Sequence, residues 1–122
     1  MCLLAFTGLV PTITVNKEVM YKAAADGYAT ATDLADYLVV NGLPFRDAHE
    51  VVGKTVQYAI QHDKELSSLT LEELQQFSEV IKEDVFAVLE LEGSVSARNH
   101  VGGTAPQQVK AAIERLKNKL TQ

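Results

Sequence analysis

A single cysteine, Cys2, leaves the chain unable to close an internal disulfide. It is therefore not a cross-linked secreted domain, and a reducing, cytoplasmic compartment is the expectation. Basic residues are scarce: 11 Lys and Arg face 16 Asp and Glu, for a net charge of −5. A surface of that sign argues against nucleic acid or an anionic membrane as partner, because both call for a basic face. Long hydrophobic runs are missing too. The apolar opening MCLLAFTGLV is far too short to span a bilayer, and it lacks the basic n-region and small-residue cleavage site of a secretory signal. The chain has no internal repeat, low-complexity tract or Pro/Gly/Ser-rich linker. What is there is ordinary for a soluble globular protein: 122 residues, 47% hydrophobic and 22% charged, enough for one domain with one core.

Strand signals are as scarce as cysteine. PTITVN alternates β-branched residues, but Pro11 and Asn16 bracket it and it reads as an extended connector. Helix signals recur everywhere else. Asn16 is placed to cap a helix over about Lys17 to Asp26, ended by a left-handed Gly27. Thr30 with Asp33 has capping-box spacing and opens a helix that stops at Asn41-Gly42, with Ala31, Leu34, Ala35 and Leu38 as its apolar stripe. Pro44 suits the first turn of the next helix, which runs to about Asp63 with Gly53 as its weak interior position. Thr70 and Glu73 form a second capping box, stapled by Leu69 and Leu74. Helices follow through EDVFAVLEL and after Ser94. Thr104 and Gln107 offer a third capping box ahead of a last helix, whose stripe is Val109, Ala112, Ile113, Leu116 and Leu120, with Arg115, Lys117 and Lys119 near its negative end. The expected fold class is all-α.

Within this pattern, the stretch ATDLADYLVVNGLPFRDAHE concentrates Asp33, Asp36, Arg46, Asp47, His49 and Glu50, the residue types of a proton-transfer site. Helical spacing places Asp33 and Asp36 outside the apolar stripe, where paired carboxylates stabilise a helix start more often than they share a cation. Arg46, Glu50, Lys54, Gln57 and Gln61 fall on one polar face as a solvated ladder. His49 lies with Phe45 and Val52 on or beside an apolar stripe, which favours a core-edge histidine over a general base or metal ligand. Nothing continues it into the HExxH pattern. His62 and His100 are isolated, and no serine or cysteine sits in a nucleophile motif. Gly102-Gly103 precede a helix N-terminus, a place for an anion, but follow neither phosphate-loop spacing, so a turn is the simpler reading. No catalytic, cofactor-binding or metal-ligating residue is assigned.

The segments ATDLADYLVVNGLPFRDAHEVVG, LTLEEL, EDVFAVL and GSVSARNHVGGTAPQQV closely resemble the C-terminal part of the argininosuccinate lyase family, in the fumarase/aspartase superfamily. The resemblance runs from about Thr14 to the last helix. It implies a long, mostly helical enzyme, homotetrameric through a central helical bundle. That enzyme cleaves argininosuccinate to arginine and fumarate by β-elimination, with neither metal nor organic cofactor, in arginine biosynthesis or the urea cycle. On this resemblance, residues 1–16 are the end of a central-bundle helix plus a connector, and residues 17–122 are the C-terminal helical domain. The family's GSSxMPxKxN loop, catalytic histidine and most substrate-binding residues have no counterpart here, so no catalytic role transfers to any residue. The expected function is that of a structural domain of the lyase, inactive alone. A free-standing helical interaction module is the alternative.

Overall fold

The computed structural model describes residues 2–121; Met1 and Gln122 lie outside it. Among the described residues there are eight α-helices and no strand: α1 Cys2–Leu9, α2 Lys17–Ala25, α3 Ala31–Val40, α4 Phe45–Gln61, α5 Leu71–Gln75, α6 Val85–Leu89, α7 Leu91–Ala97 and α8 Pro106–Leu120. Single 3₁₀ turns occupy Val10–Thr12 and Leu66–Ser68. The all-α expectation holds.

The core is organised around α3, which packs against α4 on one side and α6 on the other. Leu34 and Leu38 are fully buried, and they meet α4 through Ala48, Val52, Thr55 and Ala59. These α4 positions are small and spaced 4, 3 and 4 residues apart, so they line one face and let the two helices approach closely. The Thr55 hydroxyl donates to Val51 O at 2.9 Å, which satisfies the one polar group on that face. Leu66, Leu69, Leu74, Ile81, Val85 and Leu89 close the core from the other side.

Local signals set most boundaries. Asn16 Oδ1 accepts from Val19 N at 3.2 Å to start α2, and Gly27 follows the helix at φ +84°. The capping box of α5 is complete: Thr70 Oγ1 accepts from Glu73 N at 3.2 Å, and Glu73 Oε2 accepts from Thr70 N at 2.8 Å. Leu69 and Leu74 are both buried beside it, as a hydrophobic staple requires.

Four local expectations are corrected. No capping box forms at Thr30, because the Asp33 side chain is engaged with α7 instead. Nor does Thr104 cap α8: the N-cap is Ala105, fully buried, with Pro106 filling the first helical position and needing no donor partner. Pro44 is likewise the N-cap of α4, just outside its first turn. Finally, EDVFAVLEL is not one helix. It breaks at Glu90, whose ψ of 143° is extended, and α7 begins at Leu91 before Ser94 is reached. Gly93 permits this fold-back, since a Cβ there would collide with the main-chain carbonyl of Ala87.

The helices at either end are different. No residue of α1, α2 or α8 is buried. Leu3, Phe6 and Leu9 on α1, Val19 and Met20 on α2, and Val109, Ile113, Leu116 and Leu120 on α8 all present apolar side chains to the outside.

Candidate functional site

Of the six charged residues in the 31–50 stretch, Asp33 alone is buried. The expectation that it lies outside the apolar stripe is wrong, because α3 is covered on two sides and its buried arc takes in Asp33 and Tyr37 as well as Leu34 and Leu38. Both carboxylate oxygens are occupied: Oδ2 accepts from the Ser94 hydroxyl at 2.8 Å, and Oδ1 pairs with Arg98 Nη2 at 3.0 Å. Arg98 Nη1 also donates to Ser94 Oγ at 2.8 Å, closing a ring of three side chains that fastens α7 to α3. A buried carboxylate needs such complete pairing, since an uncompensated charge in the interior is strongly destabilising. Asp33 ties α3 to α7, and the other five residues point to solvent.

His49 is also corrected. It is exposed and lies beside Phe45, ring centroids 6.5 Å apart, with Phe45 itself exposed. The buried face of α4 runs through Ala48, Val52, Thr55 and Ala59, and helical spacing centres it about 50° round the helix from Phe45 and about 90° from His49. Asp36 and Arg46 are exposed as expected, and Asp47 is exposed too. Glu50 and Lys54 form the i,i+4 pair at 2.7 Å on the exposed ladder, and the Lys54 ammonium lowers the Glu50 pKa.

A second cluster centres on Glu73. Its Oε1 accepts from Lys64 Nζ at 2.6 Å and from the Tyr58 hydroxyl at 3.1 Å, while Oε2 is held by the Thr70 amide. The hydrogen bond from Lys64, then that from the Thr70 amide, bring the Glu73 pKa down from 4.5 to about 2. Such a carboxylate is no proton acceptor near neutral pH. Burial and the adjacent Glu73 push the Tyr58 phenol up. His62 stacks on the Tyr58 ring at 4.0 Å, with Nδ1 2.8 Å from Tyr58 O. A third link joins Tyr37 to Asp84 Oδ1 at 2.6 Å, and the Tyr37 oxygen accepts from Lys82 N at 3.2 Å. Sequence reasoning missed all three clusters as clusters. Glu73 was visible as a cap, but Ser94, Arg98 and Asp84 carry no local signal of their partners.

The remaining candidates stay apart. His100 is exposed, with Nδ1 3.3 Å from the neighbouring Val101 O. Gly102 takes φ +84° and Gly103 N donates to His100 O, which makes the HVGG segment a turn. Among the described residues no group of three or more His, Cys, Asp or Glu is placed to hold a metal ion. No helix there is long and apolar enough to cross a membrane. The polar clusters thus consist of saturated groups that join helices, surrounded by a body that carries unpartnered apolar helices.

Comparison with known proteins agrees on which part is the body. The family described as argininosuccinate lyase C-terminal matches residues 28–96, from the residue after Gly27 almost to the end of α7. The argininosuccinate lyase of Saccharophagus degradans is 62% identical over 119 residues, 98% of this chain and 25% of that protein. That of Nitrosococcus oceani is 63% identical over 98% of this chain and 26% of its own length. Among solved structures, an EDDS lyase variant with bound fumarate superposes with a TM-score of 0.85 at 33% identity, over 96% of this chain and 25% of that one. The chain therefore spans about a quarter of the length of the relatives it matches. The match covers more than half of this chain, and it places the chain in the argininosuccinate lyase C-terminal family, with the helical fold of fumarase/aspartase-superfamily lyases.

Proposed function

We infer that this chain serves as the C-terminal structural domain of an argininosuccinate lyase, the enzyme that cleaves argininosuccinate to arginine and fumarate in arginine biosynthesis. The observation that carries this reading is the set of unburied apolar stripes on α1, α2 and α8. Apolar surface of that extent marks a contact face, and in the relatives about three quarters of the protein is available to cover it. On this reading residues 1–16 continue a long bundle helix and its connector, residues 17–122 form the C-terminal domain, and the assembled enzyme is a cytoplasmic homotetramer that needs neither metal nor organic cofactor.

No residue of this chain takes a catalytic role in that proposal. β-Elimination requires a base at the Cβ proton and donors for the developing aci-carboxylate. The Asp33 and Glu73 carboxylates are committed to structural partners, and the three histidines are exposed, none bonded to a carboxylate or hydroxyl among the described residues.

The test is a chimera in which this chain replaces the matching quarter of the Saccharophagus degradans lyase. Fumarate release, followed by ultraviolet absorbance, is expected from the chimera and not from the chain alone. Turnover by the isolated chain above a heat-killed control, or a folded chimera without activity, would overturn the reading.

A further inference from the structure

Of the four asparagines in the sequence, Asn41 alone is followed by glycine. The pair ends α3, and both residues are exposed. An Asn-Gly pair is chemically unstable in a flexible chain. With no Cβ beside it, the glycine nitrogen approaches the asparagine side-chain carbonyl freely. Attack there closes a five-membered imide ring and expels the amide nitrogen.

In the folded chain both reacting groups are held. Gly42 takes φ +100°, and its N–H donates to Val39 O at 3.0 Å while Leu43 N donates to Leu38 O at 3.0 Å. These are the two bonds of a Schellman motif. The attacking nitrogen must first give its proton to a solvent base, and that proton is engaged by the Val39 carbonyl. The carboxamide under attack is tied as well, since Asn41 Nδ2 donates to Tyr37 O at 2.9 Å. Ring closure also needs the Gly42 nitrogen eclipsed against the Asn41 Cβ, which the observed ψ of 12° does not provide.

We propose that Asn41-Gly42 is a latent deamidation site, closed by the last turn of α3 and released when that turn opens. On opening, hydroxide takes the Gly42 amide proton and the nitrogen attacks Cγ of Asn41. The new N–Cγ bond forms, and the bond from Cγ to the side-chain nitrogen breaks. That nitrogen leaves as ammonia with a proton from water. Water then adds to one of the two imide carbonyls. Opening at Cγ leaves an aspartate, and opening at the main-chain carbon reroutes the chain through the side chain as isoaspartate. Nothing is oxidised or reduced. Either product exchanges the Nδ2 donor for a carboxylate beside the last carbonyls of α3, the negative end of the helix. Isoaspartate also lengthens the main chain where the motif fixes its spacing. The modified turn therefore does not close as before, and the joint between α3 and α4 keeps a one-way record of having opened. The reaction is separate from any lyase chemistry and does not rest on the reading above.

The experiment incubates the purified chain in mildly alkaline buffer, folded and in urea, and maps the amide-to-acid mass gain peptide by peptide. In urea Asn41 should convert ahead of the other asparagines. In the folded chain its conversion should be slower by roughly tenfold or more, in proportion to the small fraction of open turn. Leu43 packs, half-buried, against the core, the apolar contact that accompanies such a motif. Leu43→Ala, checked for helicity, should speed the folded reaction several-fold and leave the rate in urea unchanged. A second pair of variants tests the product without waiting for it. Asn41→Asp and Asn41→Ala lose the same Nδ2 bond, but the first alone adds charge, so its Gly42 and Leu43 amides should exchange with deuterium oxide several-fold faster. Equal conversion in the folded chain and in urea, another asparagine leading in urea, or equal exchange in the two variants would overturn the proposal.

Discussion

The body from Tyr28 to Arg98 and the helices on either side of it are built with equal care but held in different ways. α2 has an asparagine cap and a left-handed glycine stop, and α8 is fifteen residues long with lysines in its last turn, yet neither buries a residue. α5 has only five residues, and it is locked by a capping box, a staple and the Lys64–Glu73 pair. Good local signals make a helix. Contacts from distant parts of the sequence make it part of a body.

The largest effect should come from emptying the core while trimming a flank. Leu38→Ala is expected to cost about 2–5 kcal/mol in urea unfolding, because it removes a fully buried side chain beside close-packed neighbours. Leu116→Ala, on α8, should stay within about 0.5 kcal/mol. Similar costs at the two sites would mean that α8 is part of the cooperative unit.

Glycines sharpen the same contrast. Gly93→Ala drives a methyl into the Ala87 carbonyl and is expected to cost about 1–3 kcal/mol by overpacking. Gly8→Ala meets open space on α1, so its unfolding midpoint should not fall.

Caps come next. Thr70→Ala should lower stability by about 1 kcal/mol, whereas Asn16→Ala should reduce helicity at α2 and leave the midpoint of the body unchanged. If Asn16→Ala shifts the midpoint as much, α2 unfolds together with the core.

The smallest effect is in the acid limb. The Glu73 pKa lies below its ordinary value in the folded chain, from 4.5 down to about 2. Its contribution is therefore fully present above about pH 4.5 and is lost as pH falls towards 2. Glu73→Gln should flatten the pH dependence of the midpoint across that window, and an unaltered slope would show that the acid limb has another origin.

The fold class, the span of the long helices and the α5 capping box were legible in the sequence because each depends on residues within one or two turns. The face of α4 was read wrongly because Phe45 is large and apolar, and Ala48 and Ala59 are not. Close packing against Leu34 and Leu38 selected the small residues, a choice visible only once α3 is in place. The polar clusters were illegible for the same reason. Asp33 finds Ser94 across 61 positions and Tyr37 finds Asp84 across 47, distances at which helical periodicity carries no information. The break at Glu90 likewise answers to Gly93 passing the Ala87 carbonyl, not to any breaker residue in EDVFAVLEL.

The Tyr37 hydroxyl has a kinetic consequence for the segment it holds. Lys82 lies in irregular chain between α5 and α6 and its side chain faces water, but its amide donates to a phenol rooted in α3. Amides in exposed connecting segments ordinarily trade their protons with solvent through small local openings. This one can do so only when Tyr37 withdraws from Asp84 and from the covered face of α3, a movement that disrupts the core. In deuterium oxide the Lys82 amide should therefore exchange on the timescale of the buried helix rather than that of its own segment.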